Sequence, residues 1–205
     1  IMGPTFPVIP FETIPFTLFI INEILLGALL GLIARFIFTS VQFGGRIIGF
    51  QMGFAMANVM DPQSGVQTSL ISQFQNVFAI FIFLAVDGHH VFLHTAIKSY
   101  EYLPPGNLNF SGEAVPYLVE LSSRMFALGI QFSVPIIVLL LLSSLSLGLM
   151  SRIFPQLNVF LLSFPLNISI SFIVMGLTLN MTYIILRREF DDLGNRILTM
   201  LQFLN

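Results

Sequence analysis

This chain of 205 residues contains no cysteine and no tryptophan, and only 9% of its residues are charged. Without cysteine, neither a disulfide nor a thiolate metal site can form. A soluble domain carries about a quarter charged residues, so a surface of this composition could not be covered in water. The formal net charge of −2 supplies no basic patch, which argues against a nucleic-acid partner.

Apolar residues dominate what is present. They make up 56% of the chain, 23 phenylalanines are among them, and the mean hydropathy is +0.91. Such a chain is expected to lie in lipid or to be wrapped by other apolar subunits. It begins with Ile1 and a proline-rich turn region up to Pro15, so we expect a missing N-terminus.

Apolar periodicity predicts a single all-α domain over residues 1–205. The predicted segments are Ile14–Phe38, Phe43–Met60, Ser69–Tyr100, a fourth from an N-cap at Ser111 to the break at Phe154-Pro155-Gln156, and a fifth from there to Leu186. The third should end at Leu103-Pro104-Pro105-Gly106. Residues 187–205 are predicted to form an amphipathic C-terminal helix that docks on another surface.

Prolines divide the last two long segments. Pro135 and Pro165 predict proline-broken helices, which suit membrane-associated helical hairpins inside a multi-subunit assembly. The fifth segment also carries Asn158, Asn167 and Asn180. Hydrocarbon cannot satisfy an amide, so we expect protein or water around these side chains.

The stretch from Gly44 to Pro62 combines two patterns. A strip of small residues recurs every fourth position and predicts a seam where the backbone of a neighbouring subunit approaches closely: Gly45, Gly49, Gly53 and Ala57. A methionine stripe with the same spacing suits a flexible gasket: Met52, Met56 and Met60. The helix should end at Asp61-Pro62. On spacing alone, an ordinary helix crossing and core-filling methionines are the commoner explanations of these two patterns.

Three ionisable residues interrupt the first two apolar segments: Glu23, Arg35 and Arg46. Charged groups at such positions are expected to be ion-paired or hydrogen-bonded inside the assembly, with a proton relay as the alternative.

A short polar run allows a metal-site hypothesis. Asp87, His90 and His94 lie at i, i+3 and i+7, so one helix face could offer a divalent metal three ligands, with His89 pointing away. This supports the alternative of a self-contained transporter of a cation. The sequence shows no Ser-His-Asp, Cys-His or paired-carboxylate arrangement, so we expect neither an enzyme nor a cofactor.

Four ordered motifs carry a family resemblance. They are the run Gly49-Phe50-Gln51-Met52-Gly53 before Asp61-Pro62, the run Asp87-Gly88-His89 before the double proline, the run from Phe154 to Phe160, and Ser163-Phe164-Pro165-Leu166. Together they resemble the flagellar biosynthetic FliR family, a component of the type III secretion export gate. The first run is closer to the flagellar branch than to the virulence relatives.

The resemblance implies a single copy of this subunit in a closed helical cone with FliP and FliQ, and with FlhB near its entrance, in the inner membrane at the flagellar basal body. Unfolded flagellar proteins would pass through it. It also implies that a channel plug lies in the stretch Gln51, Met52, Met56, Val59, Met60, Asp61 and Pro62. Two departures are the family's N-terminal helices, largely absent here, and the non-aromatic Met56 and Val59.

Overall fold

A computed structural model describes residues 13–53, 70–106, 112–154, 156 and 158–204. Within these ranges the chain forms six α-helices and no strand. They are α1 (Thr13–Gln51), α2 (Leu70–Ala85), α3 (Gly88–Tyr102), α4 (Ala114–Ile153), α5 (Val159–Asp191) and α6 (Leu193–Phe203). The predicted all-α fold class is therefore confirmed.

Helix α1 joins two segments that the sequence predicted as separate, because nothing between Phe38 and Phe43 ends a helix. It also ends at Gln51, nine residues before Met60, where the sequence predicted its end. The cause is Gly53, whose φ of 91° leaves the helical region. Glycine reaches this left-handed conformation without a Cβ penalty and commonly terminates helices there.

The third predicted segment is also divided. Asp87 has a φ of 55° and separates α2 from α3, and the two helices are bent by 68°. Asp-Gly is a turn dipeptide, and aspartate tolerates the left-handed conformation better than most residues. The predicted end near residue 103 is confirmed: α3 stops at Tyr102, and Leu103 is extended before Pro104.

Helices α4 and α5 contain the predicted prolines. Pro135 lies inside α4 and Pro165 inside α5, and the helical backbone continues past both. The Ser169 hydroxyl donates to the carbonyl of Pro165 at 2.8 Å. The proposed cap Ser111 lies outside the described residues.

The chain forms two compact units. The first comprises residues 1–37, 82–124 and 187–205, and the second comprises residues 38–81 and 125–186. In the first unit, α6 packs against α3. Five apolar residues that recur at helical spacing in the predicted amphipathic C-terminal segment are all buried: Phe190, Leu193, Ile197, Leu201 and Leu204. In the second unit, a core of apolar residues joins α1, α2, α4 and α5.

Three stretches of the described chain are long and apolar enough to cross a membrane: Thr13–Gln51, Ala114–Ile153 and Leu161–Phe203. The bent pair α2 and α3 would make a fourth if it is one broken span. Large apolar side chains are exposed along these helices, for example Ile24, Leu145 and Leu177. Apolar surface on this scale marks contact with lipid or with other proteins.

Candidate functional site

Met52 immediately follows α1 and belongs to the core of the second unit. Its side chain is 1% exposed and its backbone N–H donates to Ile48 at 2.9 Å. The cluster to which it belongs draws on four helices: Ile48, Met52, Ile71, Ile136, Leu140, Val174 and Met175. Met52 therefore fills the chain's own core.

The neighbours of Met52 mark the point where the helix ends. Phe50 is exposed and Gln51 is half-buried. Gly53 donates its N–H to the carbonyl of Phe50 at 3.1 Å, and a methyl group placed on Gly53 would lie 2.6 Å from the ring of Phe164. The rest of the predicted plug, with Met56, Val59, Met60, Asp61 and Pro62, lies outside the described residues. Ala57 of the predicted seam lies outside them too.

Gly45 is a point of close helix packing. A methyl group placed there would lie 2.6 Å from Cα of Ser72, in α2. The Ser72 hydroxyl also donates to the carbonyl of Gln42 at 3.0 Å, and the Gln42 amide donates to Asn76 at 3.0 Å. The sequence predicted neighbouring subunits as the partner of this seam. At Gly45 the partner is the chain's own α2, and Gly49 on the same seam is buried.

A second close crossing, between α1 and α4, was not predicted. A methyl group on Gly44 would lie 2.7 Å from the carbonyl oxygen of Gly129, and one on Gly129 would lie 2.8 Å from the carbonyl oxygen of Ser40. The side chain of Phe43 meets Phe126 edge to face at a centroid distance of 5.3 Å. The other glycine of α4, Gly148, lies far along the helix from Gly129, so no repeated spacing of glycines indicated this contact.

The three charges that the sequence singled out have different surroundings. Glu23 accepts a hydrogen bond from the Gly106 N–H at 3.1 Å, and Asn22 donates to the Gly106 carbonyl at 3.4 Å. Arg35 and Arg46 are exposed. Neither makes an ion pair or hydrogen bond with another residue of the described ranges.

A network of four charges, which the sequence analysis missed, joins α4, α5 and α6 in the first unit. Glu189 is 3% exposed and accepts from both Arg124, at 2.8 Å, and Arg196. Arg196 also donates to Asp192 at 3.3 Å. A cavity of about 380 Å³ beside the network is lined by Arg124, Arg188, Asp191, Asp192 and Asn195. The two arginines offset the cost of burying the Glu189 side chain, since an unpaired buried carboxylate would be costly.

The structure changes the predicted metal-ligand set. Candidate ligand atoms of Asp87, His89 and His90 lie within 4.8 Å of one another, and His94 is not in this group. The prediction assumed one continuous helix. Because Asp87 is left-handed and α3 begins only at Gly88, the i, i+3, i+7 spacing does not carry Asp87 onto the face that bears His94.

These features identify the class of protein: it is an all-α protein with several helices able to cross a membrane, and some of its helices pack closely at glycines. Comparison with known proteins gives the family. The model of "Bacterial export proteins, family 1" matches residues 2–193, so the chain belongs to this family of bacterial export proteins.

Relatives named flagellar biosynthetic protein FliR support this assignment. The one from Bacillus subtilis (strain 168) is 39% identical over 173 residues, which cover 83% of this chain and 67% of the relative. The one from Pectobacterium carotovorum subsp. carotovorum is 33% identical over 178 residues, covering 84% and 68%. The one from Escherichia coli (strain K12) is 32% identical over 156 residues, covering 76% and 60%. The predicted resemblance to the FliR family is confirmed.

Proposed function

We propose that this chain is a subunit of the flagellar type III export gate, in the bacterial inner membrane at the flagellar basal body. It would assemble with FliP and FliQ, with FlhB nearby, and form part of the channel through which unfolded flagellar proteins pass. It would act by opening and closing, without catalysis. Membership in the export family and the exposed apolar helices support this role over that of a cation transporter.

One observation carries the gating part of the proposal: the chain that leads into the plug stretch is packed in the core up to Met52, and its helical direction ends at Gly53. Met52 is buried in a core to which four helices contribute, and Gly53 turns the chain with a φ of 91°. A plug needs a rigid stem and a point where the chain can change direction. In this proposal, helix α1 up to Met52 is the rigid stem, and Gly53 is the point where the chain changes direction.

This division assigns different roles to the three methionines. Met52 anchors the stem in the subunit's own core. Met56 and Met60, with Val59 between them, would form the seal, because unbranched thioether side chains adapt to partners of varied shape. Asp61-Pro62 would bound the plug. Export substrate would displace residues after Gly53 and leave the stem in place.

Gly45 and Gly44 support the same arrangement. Both hold α1 against other helices of the second unit at distances that admit no side chain. Helix α1 would thus be held in place by other helices of the same chain. Its exposed apolar surface would remain available to lipid or to FliP and FliQ.

Co-purification tests the assembly. The full-length protein, affinity-tagged and expressed with FliP, FliQ and FlhB, should be recovered from detergent as one complex whose intact mass includes several small helical subunits. Expressed alone, it should be unstable. A subunit that purifies alone as a stable monomer and transports a cation in vesicles would overturn the proposal. As a control, Gly31→Ala should co-purify with the same partners as the wild type, because no described atom lies within 4 Å of the added methyl.

A further inference from the structure

We propose that the break between α2 and α3 is a binding site for a divalent transition-metal ion, held by the Asp87 carboxylate and the imidazoles of His89 and His90. Nothing in the gate proposal requires this site, and either proposal can fail without the other. The relevant chemistry is the preference of Zn²⁺, Co²⁺ and Ni²⁺ for imidazole nitrogen, completed by a carboxylate.

The first observation is that three potential ligand residues lie close together. One candidate ligand atom from each residue lies within 4.8 Å of the others. The Nδ1 atom of His90 is 3.2 Å from a carboxylate oxygen of Asp87, and the rings of His89 and His90 have centroids 4.1 Å apart. Metal–nitrogen bonds are about 2.0–2.1 Å long, so small side-chain rotations would bring all three ligands to one ion.

The second observation is that the Asp87 side chain does not cap helix α3. It precedes the first residue of α3, where an aspartate side chain normally accepts a hydrogen bond from the helix backbone. Its carboxylate makes no such bond and contacts His90 instead. The left-handed backbone at Asp87, with a φ of 55°, holds this side chain next to the imidazoles.

The third observation concerns His89. Its Nδ1 atom is buried and has no hydrogen-bond partner in the described chain. The ring itself is positioned by an edge contact with Phe83, at a centroid distance of 6.3 Å, and Phe83 in turn packs on Phe190. A buried ring nitrogen without a partner carries an energetic cost, which ligation or an ordered water would relieve. His89 is thus a positioned imidazole whose Nδ1 atom has no hydrogen-bond partner among the described residues.

The site is open. Asp87 and His90 side chains are 73% and 72% exposed, so an ion can enter from solvent and keep water in its remaining positions. Three protein ligands with open positions are typical of exchangeable metal sites, whereas structural zinc sites have four protein ligands. An ion here would link the residue that bends the chain to the first turn of α3, and so restrain the 68° bend.

Metal titration of matched variants tests the proposal. The full-length protein would be purified with its partner subunits through a tag without histidine, stripped with chelator, and titrated with Co²⁺ while the visible d–d absorption is recorded. We expect saturable binding of one ion per chain and competition by Zn²⁺. His90→Ala and Asp87→Asn should each weaken binding at least about tenfold. His94→Ala is the matched control, with an exposed histidine of the same helix, and should bind as the wild type does.

A second readout locates the ion. Zn²⁺ should slow amide hydrogen exchange at residues 87–91, where the N–H groups of Asp87, His90 and Val91 make the hydrogen bonds of the break. The slowing should be absent in His90→Ala, whose side chain is exposed and whose removal leaves the contact of His89 with Phe83 in place. Equal loss of binding in His94→Ala, unchanged binding in His90→Ala, or no saturable Co²⁺ binding by a well-assembled complex would each overturn the proposal.

Discussion

Replacing Gly45 by alanine adds one methyl group where α1 meets α2. The added carbon would lie 2.6 Å from Cα of Ser72 and 2.8 Å from Oε1 of Gln75. The glutamine side chain can rotate away, but the Ser72 backbone can move only with its helix. Gly31, in the same helix, offers a matched control because no atom of the described ranges lies within 4 Å of its added methyl.

The magnitude follows from two opposing terms. Alanine in place of glycine within a helix stabilises the folded state by about 0.5–1 kcal/mol. Forcing an extra methyl into a closely packed contact costs about 1–3 kcal/mol. Gly31→Ala should therefore be more stable than wild type, and Gly45→Ala less stable than Gly31→Ala by about the overpacking cost.

Thermal unfolding of the detergent-solubilised complex measures the difference. For a chain of this size, 1 kcal/mol shifts the midpoint by about 2–4 °C, so the midpoint of Gly45→Ala should lie several degrees below that of Gly31→Ala. Adding Gln75→Ala to Gly45→Ala should not restore stability, because the clash with the Ser72 backbone remains. Equal midpoints for Gly45→Ala and Gly31→Ala would refute the close packing of α1 on α2.

Two further predictions concern buried groups. Met52→Ala should lower the yield of the complex without causing a membrane leak, because removing a core side chain costs about 2–5 kcal/mol. Met150→Ala, at an exposed position, should leave the yield unchanged. A Met52→Ala variant that assembles fully and leaks ions would contradict the anchor role. Glu189→Gln should destabilise the protein by about 3–5 kcal/mol, since it removes the buried carboxylate that Arg124 and Arg196 share and leaves Arg196 with its contact to Asp192. Asp191→Asn, in an exposed pair, should cost about 0–1 kcal/mol, and equal unfolding midpoints for these two variants would contradict the network.

The helical class could be predicted from the sequence because composition and periodicity are local properties. The ends of the helices were predicted where proline dictates them, as at Leu103-Pro104, and missed where glycine or aspartate does. Gly53 belongs to the regular strip of small residues, and this pattern favoured a continuous helix over a helix end at Gly53. Asp87-Gly88 is a turn signal, but the surrounding apolar periodicity favoured a continuous helix.

The contacts of the candidate site depend on tertiary structure. Glu189 and Arg124 lie 65 residues apart, and no spacing rule brings them together. The partner of Gly45 could not be identified from the seam, because a small-residue strip fits a helix of the same chain as well as one of another subunit. The metal-ligand set changed because a single left-handed residue alters the phase of every helical position that follows it.

Ion conductance across membranes that contain the assembled complex tests the central claim most directly, namely that the stretch after Gly53 closes a channel. We expect Met56→Ala combined with Met60→Ala to assemble in normal yield and to leak ions, because a seal needs apolar atoms in contact. Met150→Ala, exposed on α4, should assemble equally well and stay closed. A fully assembled double variant that conducts no more than the wild type would contradict the account.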